Sequence, residues 1–404
     1  MTYLKSTPSI MMFFLSLLLL SSSALGVIKL PSFIFYLCIA FFLFISLIKK
    51  NKHEISIQIL LLILICLFSI IYNNPPHYFK SYQRYGAFLL LLLSFSPLLS
   101  SSHFNKNRLL LFYHAISLLL FFSVLSFFCF FVGINYFERN DIEGDIDIAG
   151  QYSGLFKHSM ILAPFASISA IYSLSNFVIN RKKICKFVWA ICTLSCIGCV
   201  FLAASRGALI GMFLGITVFL FRYLKRMKLS PLRYLIAILF ALIVSFPLWS
   251  GITSFVVQKN ESNMDQGGVL YSREAKMAAR IYEINNNIFT GVGFSVVDED
   301  VDYVNHENGQ IEPNSSWLAV WSMTGIFGFL LFLIICIVGY KNASYISDNV
   351  ESSLFCGIMS FFFIHMFIEG YIFGAGTLQC AFFWLTMGCI NARKTTNQLK
   401  CKVL

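Results

Sequence analysis

Long apolar runs recur along the whole chain and constrain its fold more than any other feature. A helix needs about 20 apolar residues to cross a bilayer, and about twelve such runs follow one another, separated by polar breaks. Of the 404 residues, 58% are hydrophobic and 12% are charged, unlike a soluble globular protein. We predict an all-α polytopic membrane protein with a single integral membrane domain over residues 1–404. The predicted spans are 9–28, 31–48, 55–72, 86–100, 109–132, 160–179, 187–204, 208–221, 234–256, 317–340, 353–373 and 378–391.

Basic and acidic residues fall on opposite sides of these spans. One side holds 20 of the 30 Lys and Arg residues, and the other holds 15 of the 19 Asp and Glu residues. Because short cytoplasmic loops carry the excess of Lys and Arg, the basic side is predicted to be cytoplasmic and to hold both termini. The net charge of +11 therefore describes membrane orientation, and no nucleic-acid partner is predicted. All twelve cysteines fall in spans or on the basic side, so disulfides are not expected.

Two predicted outer loops, residues 133–159 and 257–316, are too long to be simple turns. Loops of that length are usually functional or disordered. The second loop contains SREAKMAARIYEINNNI, which has the pattern of an amphipathic helix with Ser272 as its N-cap. Such a helix is suited to a membrane surface. Its basic stripe consists of Arg273, Lys276 and Arg280, and the apolar stripe beside it of Met277, Ile281, Ile284 and Ile288.

One arginine interrupts an apolar run in AASRGALIG, residues 203–211. Arg206 lies at the outer end of the seventh predicted span, where it either anchors the helix among lipid headgroups or binds an anionic ligand. Its small neighbours and its place opposite the basic side favour the ligand. An arginine fork can bind phosphate oxygens bidentately, so a lipid diphosphate is the natural candidate. Further candidates at this depth are Arg84, Lys157, His158 and the basic stripe of the loop helix.

Carboxylates crowd the end of the large loop, in VDEDVDYVNHENGQIEPNSSW. The alternation of Asp298, Asp300 and Asp302 is similar to a calcium loop, but Tyr303 stands where an EF-hand needs glycine, so no metal site is predicted. Glu312, at the membrane edge, is a candidate general base. Elsewhere, Glu369 is the one acidic residue predicted inside a span. It is either functional or an ion-pair partner of an arginine.

Three of these stretches, arranged in order around a large loop, resemble the superfamily of bacterial O-antigen polymerases and O-antigen ligases. They are SRGALIG (205–211), SREAKMAARIYEINNNIFTGVGF (272–294) and EPNSSWLAVWSMTGIFG (312–328). In addition, GQYSGLFKHSMILA (150–163) is similar to a stretch of many polysaccharide polymerases in that group. The resemblance covers roughly residues 150–340, and the order and spacing of these short motifs carry it.

The resemblance implies a GT-C-like inverting glycosyltransferase that needs neither metal nor cofactor. It implies an inner-membrane protein with a periplasmic active site, and a donor glycan carried on undecaprenyl diphosphate. By the same resemblance, Arg206 and Arg273 hold the diphosphate. Membrane lipids and a polysaccharide chain-length regulator are the further partners expected.

One departure from the ligase pattern bears on the activity. Ligases carry a histidine, then Asn, Ser or Gln, nine residues, Gly, two residues and Gly. Ser315, Gly325 and Gly328 fit this frame, but Asn314 stands at the histidine position and cannot take a proton. The base is then Glu312 or His306, or the protein is not a ligase. The candidate catalytic residues are Glu312, Asn314, His306 and Glu369.

We therefore predict a polymerase that joins lipid-linked repeat units. The alternative is a ligase that transfers the glycan to lipid A-core. A lipid-linked sugar transporter or flippase is more distant, because no clear internal repeat is present and the charges gather at one face rather than at mid-membrane.

Overall fold

The computed structural model describes residues 7–28, 30–48, 53–136, 152–228, 271–297 and 314–403. α-Helices dominate this part of the chain, beside a 3-10 turn at His77–Phe79 and a short antiparallel pair of strands, β1 (Glu54–Ile55) and β2 (Leu99–Ser100). The twelve α-helices of the described residues are α1 (Thr7–Ser23), α2 (Phe33–Leu47), α3 (Ile57–Asn73), α4 (Ser81–Phe95), α5 (Ser102–Phe131), α6 (Ser159–Ile179), α7 (Lys183–Leu202), α8 (Arg206–Arg226), α9 (Tyr271–Asn286), α10 (Ser316–Ser344), α11 (Asn349–Ile368) and α12 (Leu378–Val403).

The prediction of an all-α multi-pass membrane protein is confirmed. Among the described helices, α5, α6, α7, α8, α10 and α11 are long and apolar enough to cross a membrane, and α1, α2 and α3 are apolar but shorter. Eleven predicted spans overlap α1–α8 and α10–α12, and α9 is the predicted loop helix. The ninth span, 234–256, lies outside the described residues, as do residues 137–151 of the first long loop. The number of spans and the loop boundaries therefore stay predictions.

Contacts between helix ends define two opposite ends of the bundle. The starts of α6 and α10 lie beside the ends of α1 and α11, because Leu25 bridges to Phe156 and the Ser316 N–H donates to the Glu369 carbonyl at 3.1 Å. We call this the upper end, and it is the side predicted to be periplasmic. At the opposite, lower end, Arg226 at the end of α8 donates to the Ser344 carbonyl of α10 at 2.6 Å.

Helices α8 and α11 pack against each other through glycines. A Cβ on Gly215 would lie 2.8 Å from the carbonyl oxygen of Gly357, and a Cβ on Gly357 would lie as close to that of Gly215. Small residues at a crossing let two membrane helices approach backbone to backbone. This contact fixes the start of α8, where Arg206 lies, against the last turns of α11.

Helix α5 begins at Ser102, seven residues before the predicted span. The hydroxyl of Ser101 caps it by accepting from the Phe104 N–H at 3.3 Å. The polar side chains of its first turns, Asn105, Asn107 and Arg108, are buried inside the bundle. A search for apolar runs misses such a turn, because its polar groups find their partners in the tertiary structure.

Arg108 is fully buried and holds the lower end of α4. Its Nε donates to the Ser94 carbonyl at 3.0 Å and its Nη1 to the Leu99 carbonyl at 2.7 Å, and the guanidinium lies 4.0 Å from the centre of the Phe104 ring. The last carbonyls of a helix lack partners within the helix and carry its negative dipole end, which favours a cation. Arg108 therefore serves as a C-terminal cap for α4.

Replacing Arg108 with Met should destabilise the protein. Two buried carbonyls lose their donor, at a cost of about 1–3 kcal/mol each. We expect a clearly lower thermal midpoint in detergent, followed by size-exclusion chromatography after heating, and an intermediate midpoint for Arg108→Lys. Lys106→Met, at an exposed position of the same turn, is the matched control. Equal midpoints for the two Met variants would contradict this role.

Candidate active site

Arg206 is the first residue of α8 and follows a tight turn from α7. In this turn Ala204 has φ of 49°, in the left-handed region, which costs a non-glycine residue about 1–2 kcal/mol. Gly207 packs against Ile368 at the end of α11, where a Cβ would lie 3.1 Å from the isoleucine side chain. The half-buried Arg206 thus lies at the upper end of the bundle and at a helix N-terminus, where the helix dipole favours an anion.

A second tight turn leads into α10. Asn314 has φ of 60° and is 4% exposed, and asparagine is one of the few residues that tolerate this conformation. Ser315 caps α10 by accepting from the Leu318 N–H at 3.5 Å, and it donates to the Met366 carbonyl of α11 at 3.2 Å. The turn is therefore fastened to the last turn of α11.

Ser316 joins this second turn to the segment that follows α11. Its Oγ donates to the Glu369 carbonyl at 2.7 Å and accepts from the Tyr371 N–H at 3.0 Å. Glu369 directly follows Ile368, the residue that Gly207 contacts. The structure thus brings Arg206, Asn314 and Glu369, three of the predicted site residues, to one place around the end of α11.

Glu369 lies outside α11, so its predicted place inside a span is wrong. The helix ends at Ile368, and Glu369 is half-buried with extended backbone. The glycine-rich sequence EGYIFGAGT follows, and glycine disfavours helix continuation. Nearby, Nδ1 of His365 lies 3.4 Å from the Tyr371 hydroxyl. Burial, with the charge of Glu369 adding to it, holds the pKa of Tyr371 well above its ordinary value, so this phenol stays protonated.

Arg280 of the loop helix α9 is fully buried, whereas the helical pattern predicted a stripe open to solvent or ligand. Its Nη1 donates to Oε2 of Glu283 at 2.8 Å, to Oγ of Ser322 at 2.9 Å and to the Val296 carbonyl at 3.1 Å. Glu283, three residues further along the helix, neutralises the charge and makes burial possible. Arg280 therefore fastens α9 to α10.

The other residues of the two α9 stripes are placed differently. Lys276 is half-exposed. Arg273 belongs to α9, but its side chain is not among those that the structure describes. Within the apolar stripe, Ile284 is buried, whereas Ile281 is 48% and Ile288 is 43% exposed. Only part of the predicted apolar face therefore packs on the bundle.

Helix α10 is broken at Gly325, which has φ of 69° and ψ of −176°. The segment after α9 enters the break, since the Val292 N–H donates to the Ser322 carbonyl at 2.7 Å and the Ile326 N–H donates to the Ile288 carbonyl at 2.8 Å. A Cβ on Gly325 would lie 2.0 Å from the Phe289 carbonyl oxygen, so only glycine fits. The break explains why the ligase pattern has a glycine at position 325, and it ties the segment after α9 to α10.

Arg84 lies near the start of α4. Its Nη1 donates to Oγ of Ser295 at 3.1 Å, and it lines a cavity of about 430 Å³ that also reaches Ser316. Among the described residues, Arg206 does not line this cavity. Arg84 thus lines the same cavity as Ser316 of the turn before α10, whereas the turn before α8 is separate from it.

Lys157 and His158 lie where α6 begins. Lys157 donates to α1, through Nζ to the Ser22 carbonyl at 3.4 Å and through its backbone N–H to the Ala24 carbonyl at 3.0 Å. Nδ1 of His158 accepts from the Met160 N–H at 3.0 Å and so caps α6. These contacts place both residues at the upper end, next to α1.

Some predicted site residues lie outside the described part of the chain. They are Glu312 and His306, and the acidic residues from Asp298 to Asp302, for which no metal site was predicted, lie there as well. Within the described ranges, no group of three or more His, Cys, Asp or Glu side chains is placed to hold a metal ion.

Sequence reasoning missed three features of this site: Glu283 as the partner of Arg280, Ser316 as a link between turns, and the break in α10. The spacing of Arg280 and Glu283 was a visible signal, because residues three apart on a helix are neighbours. Ser316 gave no such signal, since its partners are backbone groups 53 and 55 residues away.

The fold and the site define a multi-pass membrane protein with a cationic site at one end of its helix bundle. Residues 191–333, about a third of the chain, match the O-antigen ligase family. The match begins within α7, spans α8 and α9 and ends within α10, and so includes both turns and the loop between them. The predicted resemblance to the O-antigen polymerase and ligase superfamily is confirmed over these residues. No curated protein matches the chain significantly.

Gly325→Ala should disconnect the loop from α10. The new Cβ collides with the Phe289 backbone, and alanine disfavours the required conformation, so we expect activity to fall at least about tenfold together with a lower thermal midpoint. Polymer synthesis and melting in detergent measure the two effects. Gly86→Ala is the control, since a Cβ there meets nothing within 4 Å. Wild-type activity and stability of Gly325→Ala would refute the pairing.

Proposed function

We propose that the protein is a membrane glycosyltransferase that polymerises surface polysaccharide from repeat units linked to undecaprenyl diphosphate. One observation carries the proposal: Arg206, Asn314 and Glu369 all lie around the end of α11, in a chain with an O-antigen ligase family domain. An arginine, a helix N-terminus and a carboxylate gathered around one helix end are suited to transfer from a diphosphate leaving group.

Arg206 binds the diphosphate together with the first N–H groups of α8. Its planar fork can donate two parallel hydrogen bonds to phosphate oxygens. Arg273 and Lys276 approach the same group from α9, and Arg280 keeps α9 in place without touching the substrate. Lys157 and His158 contribute to the positive potential at this end, whereas Arg84 lines the separate cavity.

In the reaction, a hydroxyl oxygen of the acceptor sugar bonds to the anomeric carbon of the donor glycan. The bond between this carbon and the diphosphate oxygen breaks, and its electron pair leaves with the undecaprenyl diphosphate. Attack from the face opposite the leaving group inverts the configuration. The cationic side chains stabilise the charge that develops on the diphosphate, so the step needs no metal.

The hydroxyl proton passes to a general base, for which two carboxylates are the first candidates. Glu312 is two residues before the Asn314 turn, and Glu369 is joined to that turn through Ser316. His306 is the third candidate base. Asn314 cannot accept the proton, and its buried amide is suited to orienting the substrate by hydrogen bonds.

An O-antigen ligase is the second candidate, and the family description that matches the chain favours it. Its acceptor would be lipid A-core. Asn314 in place of histidine weighs against a ligase, so we prefer the polymerase. A transporter or flippase of lipid-linked sugars ranks third, because the candidate ligand-binding charges gather at the upper end rather than along a path.

We place the protein in the bacterial inner membrane, with the upper end and active site facing the periplasm. Both termini then lie in the cytoplasm, where the positive residues of the lower end belong. Its partners are the lipid-linked oligosaccharide, membrane lipids and a chain-length regulator.

Arg206→Lys should lose most of the activity while the protein still folds. Lysine keeps the charge but cannot form the paired hydrogen bonds, and loss of one such donor costs about 10²-fold or more in rate. Polymer formation from lipid-linked repeat units measures the loss. Arg181→Lys, at an exposed lower-end position, should behave as wild type. Full activity of Arg206→Lys would refute the assigned role.

Deletion of the gene separates the two leading functions. If the protein is the polymerase, electrophoresis of lipopolysaccharide from the deletion strain should show core carrying a single repeat unit. Bare core, with long chains accumulating on undecaprenyl diphosphate in an immunoblot, would instead identify a ligase.

A further inference from the structure

The cavity beside the Asn314 turn lies where several elements of the upper end converge. Helices α2, α4 and α10, the segment after α9 and the segment 370–377 all contribute walls to its volume of about 430 Å³. This volume falls within the range of small-molecule sites. The polar residues of its lining include Tyr36, Arg84, Ser295, Ser316, Tyr371 and Thr377.

The walls combine aromatic surface, hydroxyl groups and one guanidinium. Tyr36, Tyr371 and Phe373 supply rings, Ser295 and Thr377 supply hydroxyls, and Arg84 supplies a fork of N–H donors. No carboxylate lines the cavity among the described residues. A sugar ring has an apolar C–H face and a rim of hydroxyls, so aromatic rings beside hydrogen-bonding groups suit it.

The floor and the rim of the cavity differ in polarity and exposure. Ala319, Val320 and Met323 of α10 form a buried apolar floor, whereas Gly376 and Thr377 at the rim are exposed. Gly376 lies close to Tyr36, since a Cβ there would lie 2.8 Å from the Tyr36 hydroxyl. The cavity therefore has an exposed polar rim and a buried apolar floor.

The segment after α11 runs from the Arg206 turn to this cavity. Ile368 contacts Gly207, the Glu369 carbonyl accepts from Ser316, and the chain from Gly370 onward lines the cavity. Glu369 and the Asn314 turn thus lie between Arg206 on one side and the cavity on the other.

We propose that this cavity is the acceptor subsite, which holds the sugar whose hydroxyl attacks the donor. The proposal rests on the proposed function, in which Arg206 holds the leaving diphosphate. An inverting displacement needs the attacking hydroxyl on the face opposite the leaving group, and the cavity adjoins the Asn314 turn through Ser316 without including Arg206 in its lining. The acceptor oxygen bonds to the anomeric carbon, the electron pair of the broken bond leaves with the diphosphate, and the hydroxyl proton goes to a carboxylate at the turn. Arg84 binds the acceptor sugar.

Two probes separate the acceptor from the donor site. Undecaprenyl diphosphate carries the donor headgroup without sugar, and its binding is followed as a thermal shift of the detergent-solubilised protein. The free repeat oligosaccharide, released by mild acid from lipid-linked units of the deletion strain, can serve only as an acceptor. Proteoliposomes supplied with lipid-linked repeat units and this oligosaccharide then yield soluble extended chains, whose formation gives an acceptor KM.

Arg84→Gln should raise the acceptor KM by about 10-fold or more, as expected for a lost charged hydrogen bond. The thermal shift with undecaprenyl diphosphate should stay as in wild type, whereas Arg206→Lys should lose it. If Arg84→Gln does not fold, Tyr36→Leu tests the same cavity, because Tyr36 lines it from α2. Lys80→Gln is the control, since Lys80 is exposed, four residues before Arg84 and outside the cavity lining.

Other results overturn the proposal. An unchanged acceptor KM in the folded variants, or loss of the undecaprenyl diphosphate shift in Arg84→Gln, would remove Arg84 from an acceptor site. Wild-type polymer synthesis in which the free oligosaccharide is neither extended nor inhibitory would exclude a sugar subsite. Absence of any polymer from the wild-type protein would instead contradict the proposed function.

Discussion

The upper end of the molecule depends on the break in α10 at Gly325 and on the segment that fills it. A broken helix frees backbone N–H and C=O groups, which are costly to leave unpaired inside a membrane protein. Here Ile288 and Val292 pair with these groups, and Oγ of Ser69 donates to the Met323 carbonyl at 2.6 Å. The described segment that follows α9 is thereby part of the helix bundle.

The pairing at the break in α10 also fixes the position of α9 relative to the candidate site. The buried pair of Arg280 and Glu283 adds a second tie between α9 and α10, one turn before the break. Removing one partner of such a pair leaves an uncompensated buried charge, so the tie is rigid. Lys276, one turn from Arg280 on α9, is therefore set relative to the Asn314 turn by α10 itself.

Much of the fold could be predicted from hydrophobic runs and charge bias, because each span must satisfy its own backbone in lipid. The start of α5 could not, since Asn105, Asn107 and Arg108 become buried only through partners elsewhere in the chain. For the site, the motifs identified Arg206 and Asn314, but the pattern of α9 counted Arg280 as a ligand group. Arg280 is buried because Glu283 and Ser322 bind it. Ser322 belongs to α10, and the periodicity of the α9 sequence does not show that α10 packs there.

Both motif turns hold a non-glycine residue in a left-handed conformation, Ala204 before α8 and Asn314 before α10. Such residues cost of order 1–3 kcal/mol and persist only where the surrounding structure imposes them. Gly207 against Ile368 and Ser316 against Glu369 supply that constraint from the same end of α11. Because one helix end holds both turns, a displacement of α11 would move the arginine and the asparagine together. In the proposed reaction, α11 therefore sets the spacing between leaving group and acceptor, and this helix lies outside the matched family region.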